Sequence, residues 1–102
     1  MEQKQSFNAD LALHNIQDFK AGKVKLEECV PETLEAGKEY DFLKKGHRNY
    51  EQFSEVTLLE MKEKEVLFDL RARVEIIETG FVIVDGSSYT KGKYRVNEIF
   101  QG

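Results

Sequence analysis

Few side chains in this chain are suited to chemistry. It has two histidines, His14 and His47, and a single cysteine, Cys29. Nucleophilic catalysis needs a nucleophile, a base and an orienting group that converge in space. Cys29, just ahead of Val30-Pro31, is the candidate thiol, and either histidine is the candidate base. Nothing in their spacing joins them, and a small buried hydrophobe near a strand end accounts for Cys29 more simply. One cysteine makes no internal disulfide. The chain also lacks a Cys pair, a His-x-x-x-His motif and an acidic loop with calcium spacing. Gly86 and Gly92 read as isolated turn glycines, not as a phosphate-cradling loop. No catalytic residue, metal ligand or cofactor is therefore expected.

The densest chemistry is cationic. Lys44-Lys45-Gly46-His47-Arg48-Asn49-Tyr50 concentrates positive charge in one loop, and its tyrosine can stack on a base or an apolar group. Lys91, Lys93 and Arg95, flanked by Tyr89 and Tyr94, make a second cluster. Brought to one rim, the two would form the basic, aromatic-bearing patch that single-stranded nucleic acid uses. Left apart, they are soluble turns between strands. The chain has 19 acidic and 15 basic residues, a net charge of −4, so bulk charge does not attract a polyanion. Its carboxylates are interspersed with lysines, the pattern of a solvated surface.

These residues need elements to hold them. At 102 residues, 40% hydrophobic and 33% charged, the chain is expected to be one globular domain, 1–102, with 1–7 flexible. The longest apolar run, Phe81-Val82-Ile83-Val84, is far too short to cross a membrane as a helix. Met1-Glu2-Gln3-Lys4-Gln5 is polar and no apolar stretch follows it, so no secretory signal is expected, and with one cysteine the cytoplasm is the expected compartment. Residues 8–21 read as a helix, with Asn8 as N-cap, Asp10 in the first turn and Gly22 as the stop. Ala9, Ala12, Leu13, Ile16 and Phe19 fall on one apolar stripe. Phe7, Leu11 and His14 fall on a second stripe, at i, i+4 and i+7. One stripe suffices for a helix on a sheet, so the second is the candidate protein-interaction surface.

Strands are expected over most of the remainder. Lys23–Glu27 alternates and suggests a short edge strand protected by its lysines. Pro31 and Gly37 bracket a loop that leads into a strand at Glu39–Leu43, with Tyr40 and Phe42 on one face. From 66 to 76 the even positions are all apolar, which predicts a long half-buried antiparallel strand. Pairing it with 53–61 sets Met61 opposite Val66, Leu59 opposite Phe68, Thr57 opposite Leu70 and Phe53 opposite Val74. That register places Glu55 opposite Ala72, a conflict that predicts a bulge or an edge nearby. It puts Arg71 and Arg73 on an outer face with Val56, Leu58, Leu67 and Ile77. Thr79-Gly80 reads as a tight turn, Phe81–Val84 as a central strand and Asp85-Gly86-Ser87-Ser88 as a turn. Lys93–Phe100 is the last strand, with Tyr94 and Val96 inward and a bulge at Asn97 or Glu98.

The expected fold class is α+β: an N-terminal helix packed on a small, strongly curled antiparallel sheet or barrel of five to six strands. The function that fits is a small non-catalytic binding or adaptor module, meeting another protein or a second copy of itself through Phe7, Leu11 and His14. The alternative is a nucleic-acid-binding small barrel that uses Lys44, Lys45, His47, Arg48, Tyr50, Lys91, Lys93 and Arg95. A small-ligand binder or enzyme with its pocket in the sheet's mouth is the third reading. No membrane partner is expected.

Overall fold

The computed structural model describes residues 9–62 and 67–100. Five strands form one sheet: β1 (Asp10–Leu13), β2 (Glu39–Lys45), β3 (Glu55–Met61), β4 (Phe68–Val84) and β5 (Ser87–Ile99). Their order across the sheet is β1-β3-β4-β5-β2. β1 runs parallel to β3, and the other neighbours are antiparallel, so the sheet is mixed. It is neither closed nor strongly curled. The α+β expectation, with a helix packed on a curled sheet or barrel, is thereby corrected to a mainly β fold.

The helix expected over 8–21 does not form. In its place stand β1 and a five-residue helix, α1 (Ile16–Lys20), which buries none of its residues. Leu11 and Leu13, two apart, are buried against the core. The spacing of Ala9, Ala12, Leu13 and Ile16 satisfies the helical period too, and a strand of four residues is too short to announce its alternation. Pairing with β3 decides the matter: Leu11 lies beside Leu58 and Leu13 beside Glu60. Asn15 caps α1, its Oδ1 accepting from the Gln17 amide at 2.8 Å. Lys23–Glu27 is no edge strand; it is loop leading into a single 3₁₀ turn at Leu26–Glu28. The expectations for Asn8 and for 1–7 lie outside the described residues.

β3 and β4 do form a hairpin, but in another register. Met61 faces Phe68 and Leu59 faces Leu70; beyond a bulge at Leu58/Leu59, Leu58 faces Ala72 and Val56 faces Val74. The bulge passes Arg71 over, so the face of β4 that points inward changes there. Ala72, Val74 and Ile76 are buried, while Phe68 and Leu70, of the same alternating set, are exposed. On β3 the inward residues are Val56, Leu58 and Glu60, the parity opposite to the expected one. Both parities of β3 carry apolar residues, and the buried acid Glu60 disguises the true inner face. Glu60 is held by Arg71 Nη1 and by Asn15 Nδ2, the latter at 2.5 Å. A carboxylate survives burial only when paired in this way.

The turn expected at Thr79-Gly80 is absent. β4 runs straight through it, with a bulge at Ile77, and reverses at Asp85-Gly86. Both of those residues have positive φ, 50° and 80°, as a two-residue hairpin loop with matching twist requires. Phe81–Val84 is therefore the outer end of β4 rather than a central strand, and Phe81 and Ile83 are exposed. On β5, Tyr94 and Val96 point inward as expected, and Asn97 is the bulged residue, since Arg73 faces Glu98 but Val74 faces Val96. The core lies on one face of the sheet, where Phe42, Tyr94 and the inward residues of β1, β3 and β4 meet Val30 and Tyr50 from the connecting segments.

Candidate ligand groove

The two edge strands, β1 and β2, do not pair with one another, but a side chain bridges them. Lys44 of β2 reaches across, its Nζ donating to the Ala12 carbonyl of β1 at 2.5 Å. Tyr50 donates its hydroxyl to the Asp10 carbonyl at 2.8 Å. Farther along, the His14 amide donates to the Glu28 carbonyl and the Val30 amide to the His14 carbonyl, so 28–30 runs beside the end of β1. The 3₁₀ turn packs near β2. Side chains and loop thus occupy the β1 edge, a standard protection against unwanted strand addition.

Between these edges lies a groove of about 560 Å³. Ala12, Leu13 and His14 form one wall, Leu43, Lys44 and Lys45 the other, and Lys23, Val24, Lys25 and Glu28 the end. Arg48, Met61 and Tyr89 complete it. The loop bearing Arg48 is tied down by buried Thr90, whose Oγ1 accepts from the Arg48 amide at 2.7 Å and donates to the Gly46 carbonyl at 2.8 Å. His14 faces Asp18, with Nδ1 3.1 Å from the carboxylate.

The charge distribution is uneven. Among the described residues, ion pairs join Lys20 to Glu32, Lys38 to Glu35, Lys62 to Asp69, Arg71 to Glu60, Arg73 to Glu55 and Arg95 to Glu75. Lys23, Lys25, Lys45 and Arg48 belong to none of these pairs, are all exposed, and all line the groove. Among the described residues the lining has one carboxylate, that of Glu28, which is only 8% exposed. A net-acidic protein here gathers cations that make no ion pair among the described residues into one concave surface, where field lines are focused.

The structure separates the residues singled out from sequence. Leu11 is fully buried, so it presents no interaction stripe; His14 is half-buried at the groove wall, and Phe7 lies outside the described residues. Of the basic loop, Lys44, Lys45 and Arg48 reach the groove. His47 instead stacks on Phe81, ring centroids 4.5 Å apart, and Tyr50 is a core residue against Phe42. The second cluster lies elsewhere: Arg95 pairs with Glu75, Lys93 sits in register with Asp41 and Glu78, and Lys91 shares a shallow pocket with those two carboxylates. The two clusters do not share one rim. Sequence reasoning missed Lys23 and Lys25 as site residues; their signal, two lysines flanking a valine, reads equally as an edge strand.

Cys29 and His14 are backbone neighbours, and Asp18 lies on the imidazole. No hydrogen bond joins the thiol to the ring; Sγ donates instead to the Lys25 carbonyl at 3.6 Å. Cys29 is buried, and loss of solvent pushes its thiol up to about 11, so at neutral pH it holds its proton and is a poor nucleophile. Among the described residues, no three His, Cys, Asp or Glu side chains are grouped to hold a metal ion. No helix there is long and apolar enough to cross a membrane. Compared with protein-family models, curated proteins and solved structures, the chain matches none.

Proposed function

We propose that the protein is a non-catalytic binding module that works by protein–protein contact, taking an acidic segment of its partner into the groove between β1 and β2. One observation carries the reading: among the described residues the exposed cations Lys23, Lys25, Lys45 and Arg48 make no ion pair and line one concave surface, whereas Lys20, Lys62, Arg73 and Arg95 are paired with carboxylates and Lys91 and Lys93 lie beside Asp41 and Glu78. Carboxylates of an extended segment fit such a surface, arginine by paired hydrogen bonds and lysine as a point charge.

Nucleic acid is the weaker occupant. Sequence-tolerant binding of single strands uses aromatic platforms, yet Tyr50 and Tyr94 are buried and only Tyr89 lines the groove. The net charge of −4 also opposes a long polyanion.

The test is fluorescence anisotropy with a labelled glutamate-rich peptide and a labelled single-stranded oligonucleotide, on wild type and Lys45→Glu/Arg48→Glu. Both positions are exposed, so the double variant should fold. The peptide should bind wild type, weaken as salt rises, and lose measurable affinity for the variant. Equal binding by the variant, or preference for the oligonucleotide, would reject the reading.

A further inference from the structure

The groove does not end in water on the side of Met61. Met61 and Leu59, two apart on β3, share a face, and their cross-strand partners Phe68 and Leu70 share it with them. Ala12, in register with Leu59 on the other side, also lines the groove. An apolar surface of Leu59, Met61, Phe68 and Leu70 therefore runs out of the groove from Met61, beside the β1 wall. Its outer members are well exposed, Phe68 at 47% and Leu70 at 64%.

Among the described residues, nothing in the hairpin's own packing calls for this. Ala72, Val74 and Ile76 are buried, and the bulge that passes over Arg71 is what turns Leu70 and Phe68 to the outside. Two large apolar side chains held against solvent, joined through Met61 to a groove whose described cations Lys23, Lys25, Lys45 and Arg48 make no ion pair, give a surface of two characters. Its complement carries acidic groups at one end and apolar groups at the other.

We infer that the segment bound in the groove is amphipathic: its carboxylates meet Lys23, Lys25, Lys45 and Arg48, and its apolar side chains cover Leu59, Met61, Phe68 and Leu70. This rests on the groove's reading as the seat of an acidic protein segment and adds what the partner must carry besides charge. The apolar part supplies dehydration and thus residence time, while the charges steer the encounter and fix the direction of the segment. The association should consequently keep part of its strength at salt concentrations that screen the charges.

The experiment compares two labelled peptides: the glutamate-rich peptide, and the same peptide with leucine and phenylalanine added at one end. Each is titrated against wild type, Phe68→Thr/Leu70→Thr and Lys45→Glu/Arg48→Glu. Threonine keeps the strand preference at exposed positions; Leu70→Thr alone carries the same comparison should the double variant unfold by circular dichroism. The amphipathic peptide should bind wild type about ten- to a hundred-fold more tightly than the glutamate-rich one, the scale of burying one or two large apolar side chains. Phe68→Thr/Leu70→Thr should erase that advantage and leave the glutamate-rich peptide's affinity unchanged. Equal affinity of the two peptides for wild type, or an advantage that survives the threonine variant, overturns the inference and leaves the groove's acidic preference standing. Failure of both peptides overturns both readings. Sedimentation with phosphatidylserine–phosphatidylcholine vesicles, sensitive to Phe68→Thr/Leu70→Thr and unaccompanied by peptide binding, would assign the surface to an anionic membrane and overturn them as well.

Discussion

Replacing Gly92 with alanine should remove a large part of this protein's stability. Gly92 lies in β5 between Phe42 of β2 and Thr79 of β4. A Cβ at that position would sit 2.0 Å from the Glu78 carbonyl oxygen and 2.7 and 2.8 Å from two ring atoms of Phe42. Non-bonded heavy atoms attract only from about 3.5 Å outward, so all three contacts are strongly repulsive. The ring has little room to yield: Phe42 is fully buried, with the rings of Tyr50 and Tyr94 centred 5.9 and 6.2 Å away. The carbonyl belongs to backbone beside the Ile77 bulge, so relief requires β4 and β5 to separate. Overpacking a core costs ~1–3 kcal/mol, and a clash with backbone places this substitution at or above the upper figure. A domain of this size has about 5–15 kcal/mol in total. With a urea slope of ~1–3 kcal/mol/M, the unfolding midpoint should fall by ~1–3 M. Gly80→Ala is the control: it lies on the neighbouring strand β4, opposite Lys91, meets nothing within 4 Å and has no positive φ, so its midpoint should hold or rise slightly. A Gly92→Ala midpoint within ~0.3 M of wild type, less than 1 kcal/mol produces, would mean that β2, β4 and β5 do not meet as described.

Two further predictions concern buried groups. Tyr94 is fully buried and its hydroxyl has no hydrogen-bond partner among the described residues, so Tyr94→Phe should hold the unfolding free energy or raise it by up to ~1–3 kcal/mol, measured by urea titration; a clear loss would reveal a bonded hydroxyl. Burial raises the Cys29 thiol from the ordinary 9 to about 11, so the folded chain holds that proton more tightly than the unfolded one. The resulting stability is present below pH 9 and lost as pH climbs toward 11, and Cys29→Ala should flatten that part of the stability-against-pH curve; an unchanged slope would contradict the assignment. Burial raises Tyr50 and Tyr94 likewise, and they extend the loss to stronger alkali.

Only parts of the sheet were legible. Asp85-Gly86 marks its own turn because only residues tolerant of positive φ close a two-residue hairpin. Tyr94 and Val96 inward, a bulge at Asn97 or Glu98, and Tyr40 and Phe42 on one face of β2 follow from an alternation that one solvated side makes visible; the register selects Asn97. Of the groove, Lys44, Lys45 and Arg48 stood out as a cationic loop in an acidic chain. Gly92 did not stand out as anything but a turn glycine: a close approach by Phe42 and Glu78 leaves no trace in the residues on either side of it.

Alternation and turn chemistry are local, and the sequence by itself determined what they specify: a sheet-rich chain, its final hairpin strand and that strand's inner face. Tertiary structure alone decided that 10–13 is a strand, since its four residues gain that form from parallel pairing with β3 across a long separation in sequence. It also decided the β3–β4 register, because Glu60 can face inward only once Arg71 and Asn15 arrive to hold it. The groove belongs to the same class. Lys23 and Lys25 join Lys45 and Arg48 because segments far apart in sequence border one groove, and no short-range pattern records which distant segments an edge will meet.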